Sequence, residues 1–343
     1  MRLLIATGLY PPEIGGPATY AKLFEQELPR HGFEVHVLPF SLVRHMPPII
    51  RHIAYAWLLS KRIGGADLVL VQDTVSTGLP VALMCMLAGK KFVVRVPGDY
   101  AWEQGVQRFG VKDSLEDFQK HSYGRFVGIF RAIQNYVVRR ARCVIVPSSY
   151  LKHIVDSWGV TSTVIYNGID TRRTDVAREE NLIVSAGRLV PWKGFAELIE
   201  IVLKHPHWHL VIVGDGPEKE RLEKLTNRSD RVTFAGKIPN AELRRYMARA
   251  TVFVLNSSYE GLSHTLLEAS AEGAPILATK VGGNPEIVSR EALIEKGELE
   301  YKLVDLLSNP AKRAKCSTVA ISLASAFSID ACVKRTAELL KSL

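Results

Sequence analysis

The sequence predicts an α/β protein of two doubly wound parallel-sheet domains, and three observations carry that prediction. Short apolar runs alternate with longer amphipathic stretches along the chain, the pattern of strands covered on both faces by helices. The alternation restarts after the polar stretch Thr171 to Glu180. The length of 343 residues suits two domains of roughly 170 residues each. A composition of 47% apolar and 23% charged residues, with 25 Gly and 17 Pro, excludes disorder, collagen and coiled coil.

In chain order, the first strand is Leu3 to Ala6. Its apolar run is too short for a signal peptide or a spanning helix. Further strands are expected at Val35 to Leu38, Leu68 to Val71, Phe92 to Val96 and Val144 to Val146. The second series is Leu182 to Ala186, Leu210 to Val213, Val232 to Ala235, Val252 to Leu255 and Ile276 to Ala278. The expected division is residues 1–167 and 168–326, with a C-terminal helix in 327–343 returning to the first domain. Cys85, Cys143, Cys316 and Cys332 stand far apart without a CxxC spacing, which predicts reduced thiols and a cytoplasmic location, with no zinc site or disulfide framework.

Charge separates the halves. Residues 1–167 hold 19 basic and 12 acidic side chains, whereas the rest hold 25 and 23, so the overall +9 belongs chiefly to the first half. Such an excess points to a polyanionic partner or an acidic substrate.

Ligands of open parallel sheets bind at the carboxyl ends of the strands, so the loops there carry most information. The first loop, Tyr10 to Pro17, places Gly15 and Gly16 at a helix entrance, where they read either as an anion approach or as a plain turn. No GxGxxG follows it and no GxxxxGK[ST] occurs anywhere, which removes the dehydrogenase and P-loop classes. In the second half, Arg188 and Lys193 flank the entrance of a helix starting near Phe195; they could hold a pyrophosphate or be solvated surface charges. Gly214-Asp215-Gly216-Pro217 permits close backbone approach to a flat ligand or serves as turn chemistry, with Pro217 opening a helix. The backbone at Lys237 and Ile238 could face a nucleobase.

The most informative stretch runs from Asn256 to Ala269. Ser263 is an expected N-cap, Gly273 an expected C-terminal cap, and Glu260 precedes the helix that contains Glu268. The rise from Ser263 to Glu268 alone is roughly 7.5 Å. That spacing is too wide for the roughly 5 Å carboxylate pair of a retaining hydrolase, though an inverting pair remains open. It suits two carboxylates gripping separate parts of a hydroxyl-rich ligand.

Gly15-Gly16, Arg188 with Lys193, Glu260 with Glu268, Val281-Gly282-Gly283-Asn284-Pro285-Glu286 and Asn167-Gly168-Ile169-Asp170 together resemble family 4 of the retaining glycosyltransferases. The resemblance covers essentially the whole chain and is most specific between Ala186 and Val288. It implies a GT-B architecture of two facing Rossmann-like domains, with a nucleotide-diphosphate-sugar donor held mainly by the second. By the same resemblance, Arg188 and Lys193 bind the donor pyrophosphate and stabilise the leaving group, and Gly15 and Gly16 close on the phosphate. Glu268 accepts from ribose hydroxyls and Glu260 contacts the transferred sugar. The amides around Gly261, Leu262 and Ser263 add to anion binding. Gly214, Gly216, Lys237 and Ile238 complete the donor side. The absence of Asp-x-Asp implies a metal-independent enzyme with no cofactor. Two departures stand out. Where many members carry a His after the fourth strand, this chain reads Val96-Pro97-Gly98-Asp99, and Asp99 either takes a polar role near the acceptor or caps the following turn. The stretch Ser289 to Glu298 is also shorter than usual.

Residues 41–62 and 118–142 are basic and contain no acid, and the first also carries Ile49, Ile50, Ile53 and Trp57. Each reads as a peripheral contact with an anionic membrane at the inner face of the cell membrane, or as domain core with a solvated basic rim. The leading functional expectation is transfer of a sugar to a glycan or lipid-linked acceptor in cell-envelope synthesis. A sugar-nucleotide epimerase or hydrolase and a non-catalytic nucleotide-sugar-binding protein are the alternatives. No nucleic-acid-binding motif accompanies the positive charge, so nucleic acid is not an expected partner.

Overall fold

Uninterrupted apolar runs such as Leu68-Val69-Leu70-Val71 and Val252-Phe253-Val254-Leu255 become central strands buried on both faces. The structure is a computed structural model that describes residues 1–13, 16–295 and 297–343. It divides into two units, Met1–Tyr166 with Cys332–Leu343, and Asn167–Ala331. The last helix, Ile329–Lys341, contributes to both, with Cys332 onward in the first unit.

The first unit contains β1 (Arg2–Thr7), β2 (Glu34–Pro39), β3 (Leu68–Val71), β4 (Phe92–Arg95), β5 (Cys143–Val146) and β6 (Ser162–Val164). All pair in parallel in the order β2-β1-β3-β4-β5-β6. In the second unit β7 (Leu182–Ala186), β8 (His209–Val213), β9 (Val232–Gly236), β10 (Val252–Leu255), β11 (Ile276–Thr279) and β12 (Leu293–Ile294) follow the order β12-β11-β10-β7-β8-β9, again parallel. Ten strands match the expected runs. The two additional ones, β6 and β12, are three- and two-residue edge strands whose polar or minimal sequence carries no apolar run to detect.

In each sheet the chain first builds outward on one side and then crosses to the other. That crossing makes a switch point between β1 and β3 in the first unit and between β7 and β10 in the second. Strand ends on either side of a switch point diverge into loops that leave a crevice, so these two places position the candidate sites. The segment 171–180 is irregular but tied down: Thr174 donates to Glu272, and Arg178 donates to the Gly273 carbonyl and to Ser317. Among the described residues no helix is long and apolar enough to cross a membrane.

Candidate active site

At the β7/β10 switch point the loops are drawn together by glycine. A Cβ at Gly214 would lie 1.9 Å from the Gly187 carbonyl oxygen, and one at Gly282 would lie 1.8 Å from the Glu260 carbonyl oxygen. Only glycine lets these backbones approach so closely. Leu189 N–H donates to Asp215 O at 3.0 Å and Gly283 N–H donates to Glu260 O at 3.1 Å, which fixes the loops after β7, β8, β10 and β11 against one another.

Into this frame the structure places Lys193, at the end of the single helical turn Pro191–Lys193, and Glu260, in the loop after β10. Lys193 Nζ donates to Glu260 Oε1 at 2.5 Å, and Ser257 Oγ donates to the same oxygen at 2.6 Å. The two charged side chains are only 15% and 9% exposed. Removing one partner of such a pair strands a buried charge. Arg188, one residue beyond Gly187, is exposed, and its side chain engages no partner among the described residues.

Glu268 occupies the helix His264–Ala271, whose first turn is capped by Ser263 Oγ accepting from Leu266 N–H at 3.3 Å. The carboxylate is almost completely buried. Asn240 Nδ2 donates to Glu268 Oε1 at 2.6 Å, and His264 Nδ1, one turn earlier, lies 3.3 Å from that oxygen. Burial by itself raises the Glu268 carboxyl, but His264, Asn240 and Arg244 outweigh it and hold it below the ordinary value. Oε2 makes no hydrogen bond among the described residues. Asn240 and His264 are partners that the sequence reading missed, because the lateral packing of two helices sets the first contact.

The other residues singled out take these places. Gly261, Leu262 and Ser263 are buried at the loop-to-helix entrance. Gly216 donates its amide to Asp215 Oδ1 at 2.9 Å, and Lys237 Nζ lies 3.4 Å from Asp215 Oδ2. The backbone donor and Lys237 hold the Asp215 carboxyl below its ordinary value. Ile238 is half-buried directly after Lys237. Gly16 begins the helix Gly16–Glu27, whereas Gly15 lies outside the described residues. Pro217 does not open its helix, which starts at Lys219 after Lys219 N–H closes a turn onto the Gly216 carbonyl.

Asp99 takes the capping role of its two readings. It is fully buried and N-caps the helix Tyr100–Arg108, with Oδ1 accepting from Trp102 N–H at 3.0 Å and Gln134 Nε2 at 3.1 Å, and Oδ2 from Gln119 Nε2 at 2.9 Å. Burial pushes its carboxyl up, against the pull of those donors. Its neighbours Pro97, Gly98 and Tyr100 instead line a cavity of about 240 Å³ at the β1/β3 switch point, beside Gly8, Gln72 and Asp73. Gln72 is 1% exposed, and neither its amide nitrogen nor its amide oxygen has a hydrogen-bond partner among the described residues. Asp73, by contrast, is used up: Oδ1 accepts from Val75 N–H and Thr77 N–H, and Oδ2 from Thr77 Oγ1, at 2.9, 3.1 and 2.6 Å. Sequence reasoning missed this cavity, although its signal was present as the polar run Gln72-Asp73-Thr74 directly after an all-apolar strand.

Residues 14–173 match the model of Glycosyltransferase Family 4 and residues 169–322 that of Glycosyl transferases group 1. Between them the two models span most of the chain, and the chain belongs to the group 1, family 4-like glycosyltransferases. A GDP-mannose-dependent phosphatidylinositol monomannoside mannosyltransferase of Mycolicibacterium smegmatis is 28% identical over 83% of this chain and 82% of its own. A lipopolysaccharide core biosynthesis glycosyltransferase of Rhizobium meliloti, LpsE, is 35% identical over 38% of each chain. The matched stretch thus covers well under half of that relative's length. Among solved structures, Anabaena HepE in complex with UDP aligns over all of both chains with a TM-score of 0.76 at 20% identity. Sucrose-phosphate synthase of Thermosynechococcus elongatus aligns over 99% of this chain and 98% of its own, with a TM-score of 0.84 at 18% identity. At such identities these likenesses establish the GT-B fold.

Proposed function

We propose that the protein is a retaining, metal-independent hexosyltransferase that moves a sugar from a nucleotide-diphosphate-sugar donor to a glycan or lipid-linked acceptor of the cell envelope. One observation carries the reading: a buried, hydrogen-bonded Lys193–Glu260 pair sits at the switch point of the second unit, between loops that only glycine allows to close. A glycosyl transition state gathers positive charge on the sugar and negative charge on the leaving diphosphate, so catalysis needs opposite charges held close together. Lys193 and the exposed cation of Arg188 would meet the diphosphate, the entrance at Gly261–Ser263 would add backbone dipole, and Glu260 would face the sugar. Oε2 of Glu268 would accept from a ribose hydroxyl.

In the step itself the acceptor oxygen bonds to the anomeric carbon on the face from which the phosphate oxygen departs, and the acceptor proton passes to that oxygen. The first unit would receive the acceptor, with the unpartnered Gln72 amide offering one donor and one acceptor to its hydroxyls. The names of the relatives support both the nucleotide-sugar donor and the envelope context, since one is GDP-mannose-dependent and another acts in lipopolysaccharide core synthesis.

The test is nucleoside-diphosphate release from a panel of UDP- and GDP-sugars, with glycolipid acceptors, in the presence of a chelator, followed by NMR of the product anomer. Acceptor-dependent turnover with a retained configuration supports the proposal. Turnover that needs no acceptor would favour the epimerase or hydrolase, and an inverted product or loss of activity to the chelator would overturn the mechanism.

A further inference from the structure

The first unit exposes large apolar side chains where a water-soluble surface would not. Helix Pro48–Ile63 buries Tyr55, Leu59 and Ile63 on one face. On the opposite face, at successive four-residue steps, Ile49, Ile53 and Trp57 are 76%, 66% and 57% exposed. Lys61 continues the same stripe, its ammonium 3.4 Å from the centre of the Trp57 ring. The helix is therefore apolar on both sides, and only one side is accounted for by the core.

This stripe does not stand alone. Helix Pro48–Ile63 packs on helix Gly78–Ala88, which packs in turn on helix Arg125–Arg140. The middle helix exposes Leu87 at 75% and Met86 at 52%, and the third exposes Phe126 at 61%, stacked on Phe109. The middle helix thus packs against the helices of both basic stretches of the sequence. None of the three helices contains an acid, and Arg62 and Arg125 stand exposed on them with Lys61. Apolar side chains among basic ones with no acid fit a surface that is negatively charged outside and hydrocarbon within.

The surface also adjoins the cavity. In a parallel sheet the helices run back from the carboxyl ends of the strands, so their first turns lie at the ligand end. Ile49, Ile53 and Phe126 are first-turn or second-turn residues. His52 Nδ1 lies 3.1 Å from the carbonyl oxygen of Ser76, and Tyr100 meets Phe130 edge-on at 5.5 Å; Ser76 and Tyr100 both line the cavity.

We propose that this three-helix face docks on an anionic bilayer and that the adjoining cavity takes the hydroxyl-bearing head group of an acceptor that stays in that bilayer. The second half rests on the transferase reading above, whereas the first does not. The orphaned donor and acceptor of Gln72 match a sugar or polyol head, and a bilayer-bound protein would meet such a head group without extracting its lipid.

The experiment is flotation of the full chain with phosphatidylcholine vesicles, with and without phosphatidylglycerol, in low and high salt. The protein should float with the anionic vesicles, and salt should weaken binding severalfold. Ile53→Glu with Trp57→Glu should lower binding at least about tenfold, because charged side chains would replace inserted apolar ones. Lys61→Glu with Arg125→Glu should abolish the preference for phosphatidylglycerol. All four positions are exposed, so unchanged melting curves and unchanged turnover of a detergent-free soluble acceptor identify folded protein. Turnover of a vesicle-embedded acceptor should fall with binding. Wild-type protein that stays unfloated overturns the docking, as does a double glutamate variant that floats like wild type. So does light scattering that shows a dimer which the variant splits, since a second copy would then cover the face. Flotation without any transferase activity would leave the docking standing and remove only the acceptor; activity on soluble acceptors without flotation would remove the docking and leave the transferase reading standing.

Discussion

The two switch-point crevices occupy the same place in the same topology and are furnished in opposite ways. At β7/β10 the buried side chains are charged and already paired, with Lys193 and Ser257 both donating to one oxygen of Glu260. Of the charged groups lining the β1/β3 cavity, Asp73 is consumed by the turn that leads into the helix Gly78–Ala88 and Arg44 pairs with Glu13, while the neutral amide of Gln72 has no partner among the described residues. Preorganised charge suits a site where charge develops during a reaction; an unsatisfied neutral amide suits one that reads hydroxyls. On the proposed reading, the same fold divides the labour of a transfer between its two halves. Substitutions that unbalance one crevice should leave the other intact.

The largest effect is expected at Lys193. Lys193→Met should lower kcat/KM by roughly 100- to 1000-fold, as removal of a transition-state donor does elsewhere. It should also cost about 3 kcal/mol of stability by leaving Glu260 buried and unpaired. Adding Glu260→Gln should restore the melting temperature without restoring turnover. Recovery of both would reduce the pair to a structural one and erase the contrast between the crevices.

Asp99 comes next and acts on stability. Asp99→Ala removes a helix cap and strands the amides of Gln119 and Gln134, a loss of about 2–4 kcal/mol in denaturant melts. Because burial raises its carboxyl in the folded state, the ionised form is the disfavoured one, and its stabilising contribution is present at low pH and lost as pH rises through the folded value. Any stability gained by Asp99→Asn at neutral pH should therefore shrink as pH falls into the carboxyl range. A gain that grows on acidification would contradict the assignment.

What could be read ahead of the structure follows from where each signal resides. Buried parallel strands must be apolar throughout, so the central strands and the loops leaving them were legible, as were Ser263 and the placement of Glu260 and Glu268. The edge strands β6 and β12 were not, since so few residues, one side of them unpaired, impose no pattern. Nor was the pairing of Lys193 with Glu260, 67 residues apart, which depends on glycine loops closing in three dimensions. Asp99 was legible as two alternatives, and only the positions of Gln119 and Gln134 decide between them. Gln72 escaped notice because glutamine in a loop is unremarkable until its burial without a partner is seen.

That burial makes Gln72 a sharper test of the first unit's crevice. Replacing an unsatisfied buried amide by an apolar side chain of similar size removes a desolvation cost, so Gln72→Leu should hold stability constant or raise it by about 1 kcal/mol. Acceptor KM should rise about tenfold, with donor KM unchanged. A stabilised protein with a damaged acceptor KM separates binding from folding, which Asp99 variants cannot do. An increase in donor KM instead would mean that the two crevices share one ligand.

The smallest effect concerns Glu268. Losing one hydrogen bond to a carboxylate costs on the order of one factor of ten, so Glu268→Gln should weaken binding of a nucleoside diphosphate about tenfold by calorimetry. Its carboxyl is held below the ordinary value in the folded protein, so its contribution is complete above the unfolded value and is lost only as pH falls through the lower folded one. Between neutral and mildly acidic pH this carboxylate should therefore add no slope to the affinity, and wild type and Glu268→Gln should run parallel. His264 Nδ1 lies 3.3 Å from its Oε1, so any slope that does appear should persist in Glu268→Gln if it comes from the imidazole reaching the ligand directly. It should vanish in Glu268→Gln if the imidazole acts only by holding Oε1, which would make the donor crevice a network and no longer a single fixed pair.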